Sequence, residues 1–128
     1  MVPVPEAQRY YLYGTTDANC WDGPAVGFDA YFSADLRQWE GPLAVFRPAP
    51  DFWSDQNFWA PEVHRWRGRY FMLASFKAAD VCRGTQILVA DNPLGPFRSH
   101  SDGPVTPRAW ECLGGTLFID DEGCFGPA

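Results

Sequence analysis

His64 stands two residues after Glu62 and two before Trp66. A histidine beside a carboxylate invites a metal-binding or proton-transfer role. That role needs partners at ligand spacing, and the alternation Glu62, His64, Trp66 inside one strand supplies none, so a structural histidine is expected. His100, in the loop Ser-His-Ser-Asp-Gly, reads the same way. Cys20, Cys82, Cys112 and Cys124 contain no Cys-x-x-Cys pair, so no metal site is expected and reduced thiols are the default. There is no glycine-rich phosphate loop, no Ser–His–Asp arrangement and no His-Glu-x-x-His. What remains is a set of carboxylates and aromatic rings at the heads of short strands: Phe28-Asp29, and Trp59 with Glu62 in Trp-Ala-Pro-Glu. Phe76 reads as a core aromatic. Asp51, Asp55 and Asp102 fall among turn residues and are expected to be solvated.

The elements that must position these groups are strands. The 128-residue chain has length for one domain, and 46% hydrophobic with 20% charged residues is globular composition. Twelve Gly and twelve Pro sit singly between apolar runs, which predicts many turns. Six Trp, five Tyr and ten Phe between those turns favour an all-β fold. The net charge of −6 argues against a nucleic-acid or anionic-membrane partner. No apolar run approaches a membrane span, and the first residues lack a signal peptide's basic end and apolar stretch. A cytoplasmic location is the corresponding expectation.

Internal repetition organises the strands. Arg9-Tyr-Tyr-Leu-Tyr-Gly14 matches Arg69-Tyr-Phe-Met-Leu-Ala74 at an offset of 60, and Ala34-Asp35 matches Ala90-Asp91 at 56. The first pair is apolar at consecutive positions, which predicts burial on both faces. Ala30–Ser33 and Ile87–Ala90 each give a further strand, followed by the turn-rich stretches DLRQWEGP and DNPLGPF. Thr116–Gly123 lines up with Pro61–Gly68 at an offset of 55, making Gly123 the hairpin glycine of a third unit. Cys-Phe-Gly-Pro-Ala then stands where a strand is due, and Gly126 and Pro127 make it a poor one. A unit of 55–60 residues with about four strands is close to one propeller blade. The blades are placed at about 1–50 and 51–107, with the start of a third at 108–128. An independent β-sandwich is the alternative.

In order along the chain, YYLYGTT, SADLRQWEGP, FWAPEVHRWRGRYFML, RGTQILVADNPLGPF and ECLGGTLFIDDEG together resemble glycoside hydrolase family 43. The resemblance runs from near the start of the chain to Gly123. It implies a partial five-bladed β-propeller, about two blades plus the first strand of a third. It also implies inverting hydrolysis of arabinose- or xylose-containing polysaccharides, as in arabinofuranosidases, arabinanases and xylosidases. In that mechanism one carboxylate activates water while a carboxylic acid protonates the leaving oxygen. The family adds an Asp that orients the acid and raises its pKa, since like charges disfavour ionisation.

The resemblance places these three groups at the heads of innermost strands. Counting back 60 residues from Trp59 puts the base just before Met1. Counting forward 55 reaches Gly114, where an Asp is expected and glycine stands. Asp120 and Asp121 flank the far turn and do not replace it. The acid is expected beyond Ala128. The chain is therefore expected to be truncated at both ends and to be inactive alone. Trp59 is expected to stack on a sugar, Glu62 to bond a hydroxyl, and Phe28 and Asp29 to approach the pocket. No cofactor is implied, and a central metal ion in the complete propeller stays open. A non-catalytic carbohydrate-binding or structural half-propeller is the alternative function. Carbohydrate is the expected partner, with self-association through open propeller edges.

Overall fold

Ten strands make up the regular structure of the computed structural model. It describes the backbone of residues 2–4, 9–123 and 125–127 and the side chains of 9–123. The strands are β1 (Val2–Val4), β2 (Arg9–Thr15), β3 (Phe28–Ser33), β4 (Glu40–Phe46), β5 (Gln56–Trp66), β6 (Arg69–Ala78), β7 (Val81–Ala90), β8 (Arg98–Ser99), β9 (Leu117–Ile119) and β10 (Phe125–Pro127). No described residue lies in a helix. Each strand pairs antiparallel with its sequence neighbour, giving sheets β1-β2-β3-β4 and β5-β6-β7-β8 and the pair β9-β10. This is a partial five-bladed propeller: two blades and the opening of a third.

The repeated segments hold equivalent places. Arg9–Gly14 lies in β2 and Arg69–Ala74 in β6, each second in its blade. The turns between β3 and β4 and between β7 and β8 are built alike, from a side-chain oxygen accepting a nearby backbone N–H. Asp35 Oδ1 accepts from Arg37 at 2.8 Å, and Asn92 Oδ1 from Leu94 at 2.9 Å.

Burial explains the unbroken apolar run in β6. Tyr70, Met72, Ala74 and Phe76 face the main core, while Phe71 and Leu73 join a second cluster with Ile87 and Val89. The main core lies between the two blades. Phe76 sits 5.0 Å from Phe58, 5.1 Å from Phe52 and 5.9 Å from Phe28, mostly edge to face, an arrangement that suits aromatic quadrupoles.

One expectation is corrected. Residues 125–127 form β10, with Phe125 opposite Ile119, Gly126 opposite Phe118 and Pro127 opposite Leu117. In this two-stranded pair β10 is an edge strand, where a proline without an N–H is tolerated. The Gly123 turn makes the pairing possible: its φ is +80° and its N–H reaches the Asp120 carbonyl at 3.0 Å.

Candidate functional site

Strand register sets the geometry. Thr15 pairs with Phe28 and Phe28 with Phe46, while Gln56 pairs with Lys77 and Ala78 with Val81. In each blade, then, the β2–β3 or β6–β7 turn lies at one end. The head of β5 belongs to that same end, and loop 16–27 reaches it.

The head of β5 is irregular. Register shifts fall between Gln56 and Trp59 and again between Trp59 and Glu62. Asn57 and Ala60 hold φ values of +49° and +53°. Such values are uncommon without glycine, and strained residues of this kind gather at functional sites. The bulges re-aim side chains at the strand's start. Asn57 Nδ2 donates to the carbonyls of Cys20 at 2.8 Å and Trp21 at 3.1 Å. Trp59 Nε1 donates to the same Cys20 carbonyl at 2.8 Å.

Trp59 is half-buried and heavily engaged. The Arg83 guanidinium lies 3.9 Å over its ring, and Trp21 meets it at 4.9 Å with a 65° tilt. Arg83 is itself constrained. Burial pushes its guanidinium below the usual value, opposed by the Glu111 carboxylate, and Nη1 is buried without a hydrogen-bond partner. The exposed aromatic here is Trp21, at 72%. Sequence reasoning did not single it out. Its signal was legible: a tryptophan flanked by Asn19, Asp22 and Gly23 sits in a turn and is hard to bury.

Phe28 is placed differently from expectation. It has 0% exposure and packs among Phe46, Phe58 and Phe76, so it belongs to the core. An inward-facing ring at a strand head has no alternative once two blades close over it. Its neighbour Asp29 accepts from Arg47 Nη2 at 2.8 Å. Arg47 also reaches the carbonyls of Phe28 and Phe46 and thereby ties the end of the first blade.

Glu62 lies farther along β5. Its Oε1 accepts from Thr116 Oγ1 at 2.5 Å and meets His64 Nε2 at 2.6 Å. Burial favours the neutral acid, but these partners outweigh it and hold the carboxyl below its usual range. His64 thus has a local structural partner. His100 packs edge-on to Phe71 at 5.3 Å. Among the described residues, no three His, Cys, Asp or Glu side chains gather to hold a metal, and Cys20, Cys82 and Cys112 are unbridged.

Gly114 is pinned through its backbone. Its N–H donates to Ser75 Oγ at 2.7 Å, and its carbonyl accepts from Thr85 Oγ1 at 2.6 Å. Its φ is +75°, and a Cβ built there meets nothing within 4 Å. Ser75 pairs in register with Trp59. The positions counted as equivalent, 59 and 114, therefore meet at one residue.

The sequence of residues 2–125 matches the family described as Glycosyl hydrolases family 43. The chain belongs to that family. Among solved structures it is similar to an endo-arabinase from Bacteroides thetaiotaomicron VPI-5482, with 38% identity and a TM-score of 0.82. That alignment covers 97% of this chain and 41% of the other. It is also similar to an endo-1,4-beta-xylanase from the same organism, at 27% identity and TM-score 0.69, covering 92% and 37%. An α-L-arabinofuranosidase from Clostridium thermocellum ATCC 27405 shares the fold at 21% identity and TM-score 0.68, covering 92% and 42%. Among curated proteins none matches the chain. The chain thus spans about two fifths of the length of these solved family 43 relatives.

Proposed function

We propose that this chain is the substrate-facing part of an inverting glycoside hydrolase directed at arabinose- or xylose-containing polysaccharides, and that alone it binds saccharide without cleaving it. Family membership and the similarity to an endo-arabinase support the substrate class. Two observations support the second half: the chain spans about two fifths of the length of its solved relatives, and glycine stands at position 114. A glycine at the head of the third blade cannot ionise, so it cannot raise the pKa of a neighbouring acid. Loss of a general acid or base typically costs about 100- to 10,000-fold in rate. A mistuned acid loses part of that contribution.

Trp59, Glu62 and Asp29 keep supporting roles in this reading. In this proposal Trp59 and Glu62 border the sugar path, and Asp29 holds Arg47. The test is turnover of aryl arabinofuranosides and aryl xylosides by the purified chain. No release of phenol above the buffer rate is expected. Saturable release that follows the protein through purification would overturn the non-cleaving assignment.

A further inference from the structure

Loop 16–27 is fixed more firmly than an exposed connection needs. Its base closes through Thr16 N–H to the Gly27 carbonyl at 2.9 Å. Asn19 Oδ1 accepts from the N–H groups of Trp21 and Asp22 at 3.0 and 3.1 Å. Gly23 completes that turn with its N–H on the Asn19 carbonyl at 3.1 Å, and a Cβ there would lie 2.8 Å from the same oxygen. The loop is also tied to the second blade. Ala25 N–H donates to the Asp55 carbonyl at 3.1 Å, and Asn57 and Trp59 hold the carbonyls of Cys20 and Trp21.

The product of this bracing is a tryptophan held in solvent, 72% exposed, on the rim of a cavity of about 530 Å³. Asp22, Asp55 and Gln56 line the same cavity. An indole face packs against the C–H face of a sugar ring. Carboxylates accept from ring-edge hydroxyls, and the Gln56 amide both donates and accepts. The volume lies in the range of small-ligand sites. Two carboxylates disfavour an anionic ligand, and a loop already rigid loses little entropy on binding.

We propose that Trp21, Asp22, Asp55 and Gln56 form a saccharide subsite in which Trp21, rather than the engaged Trp59, is the stacking platform. The ligand class is a neutral pentose-containing oligosaccharide. The inference rests on the saccharide reading above, and it assigns a distinct place to one sugar unit.

The test is calorimetric titration of the whole chain with arabino- and xylo-oligosaccharides. Trp21→Ala, Trp21→Phe and Asp55→Asn are compared with the parent, with circular dichroism confirming the fold of each. The parent is expected to bind, Trp21→Ala to bind about tenfold more weakly, and Trp21→Phe to recover most of the loss. Asp55→Asn, which preserves shape, is expected to weaken binding several-fold and serves if Trp21→Ala disturbs the loop. Unchanged affinity in both Trp21→Ala and Asp55→Asn would overturn the subsite while leaving the saccharide reading intact. Absence of binding by the parent to every oligosaccharide would overturn both.

Discussion

Gly114 and Ser75 are joined by a 2.7 Å hydrogen bond from the glycine N–H to the serine hydroxyl. Ser75 is fully buried and pairs in register with Trp59. Through it, the head of the third blade is locked to the head of the second. Gly114 holds a φ of +75°, and the space where a Cβ would stand is open.

Gly114→Asp tests that description. With φ at +75°, any L residue there carries strain, though Asp tolerates this region better than most. A loss of about 1 kcal/mol in stability is expected, measured by urea unfolding. No clash adds to it, because the site is open. Activity on aryl pentosides is not expected to appear, since a modulating carboxylate neither activates water nor protonates the leaving group.

Asn57→Ala removes both amide hydrogen bonds that hold the Cys20 and Trp21 carbonyls. A typical net contribution is about 1 kcal/mol per bond. Stability is expected to fall by about 1–2 kcal/mol. Amide hydrogen exchange in loop 16–27 is expected to accelerate more than exchange in β6, which is buried on both faces. Equal acceleration in both would show that Asn57 supports the whole fold and not the loop.

Glu62 gives a pH dependence with a defined sign. Its carboxyl is held below the ordinary value, so folding favours the ionised form. The contribution is fully present above the unfolded pKa of about 4.3 and is lost as pH falls through the lower folded value. The stability gap between parent and Glu62→Gln is therefore expected to be constant above about pH 5 and to close on further acidification. The side chain is 45% exposed, so the effect is small. A gap that widens on acidification would contradict the assignment.

Self-association is expected from exposed apolar groups on the first blade and on β9. Leu12 is 45% exposed, Phe118 60% and Ile119 41%, whereas Tyr11 in the same segment as Leu12 is buried. In the pair β9-β10, β9 has one partner strand among the described residues, and an open edge templates pairing. Light scattering coupled to size exclusion is expected to show mass rising with concentration. A strictly monomeric species with a cooperative melt at high concentration would refute this.

Much of the fold was legible because repetition and periodicity report on topology. Consecutive apolar residues in Arg69–Ala74 announced a strand buried on both faces, and the offsets placed Gly123 in its hairpin. The site was less legible. Phe28 and Trp59 carry the same signal, an aromatic near a strand head, and only packing separates core from surface. Phe28 turns inward between the blades, while Trp59 is covered by Arg83, which is 24 residues away in sequence. Trp21 was overlooked because loop 16–27 shows no periodicity. Its rigidity comes from contacts to Asp55, Asn57 and Trp59, all more than 25 residues distant. The β10 strand was missed because composition disfavours it and the turn at Gly123 decides it.

The proposed function has two halves, engagement of pentose saccharides and absence of cleavage. One measurement addresses both halves: proton NMR of an arabino-oligosaccharide incubated with the purified chain, recorded with and without selective saturation of the protein. Saturation transfer to the sugar protons is expected, with an anomeric region that stays constant over days. New reducing-end anomeric signals growing in proportion to protein concentration would contradict it.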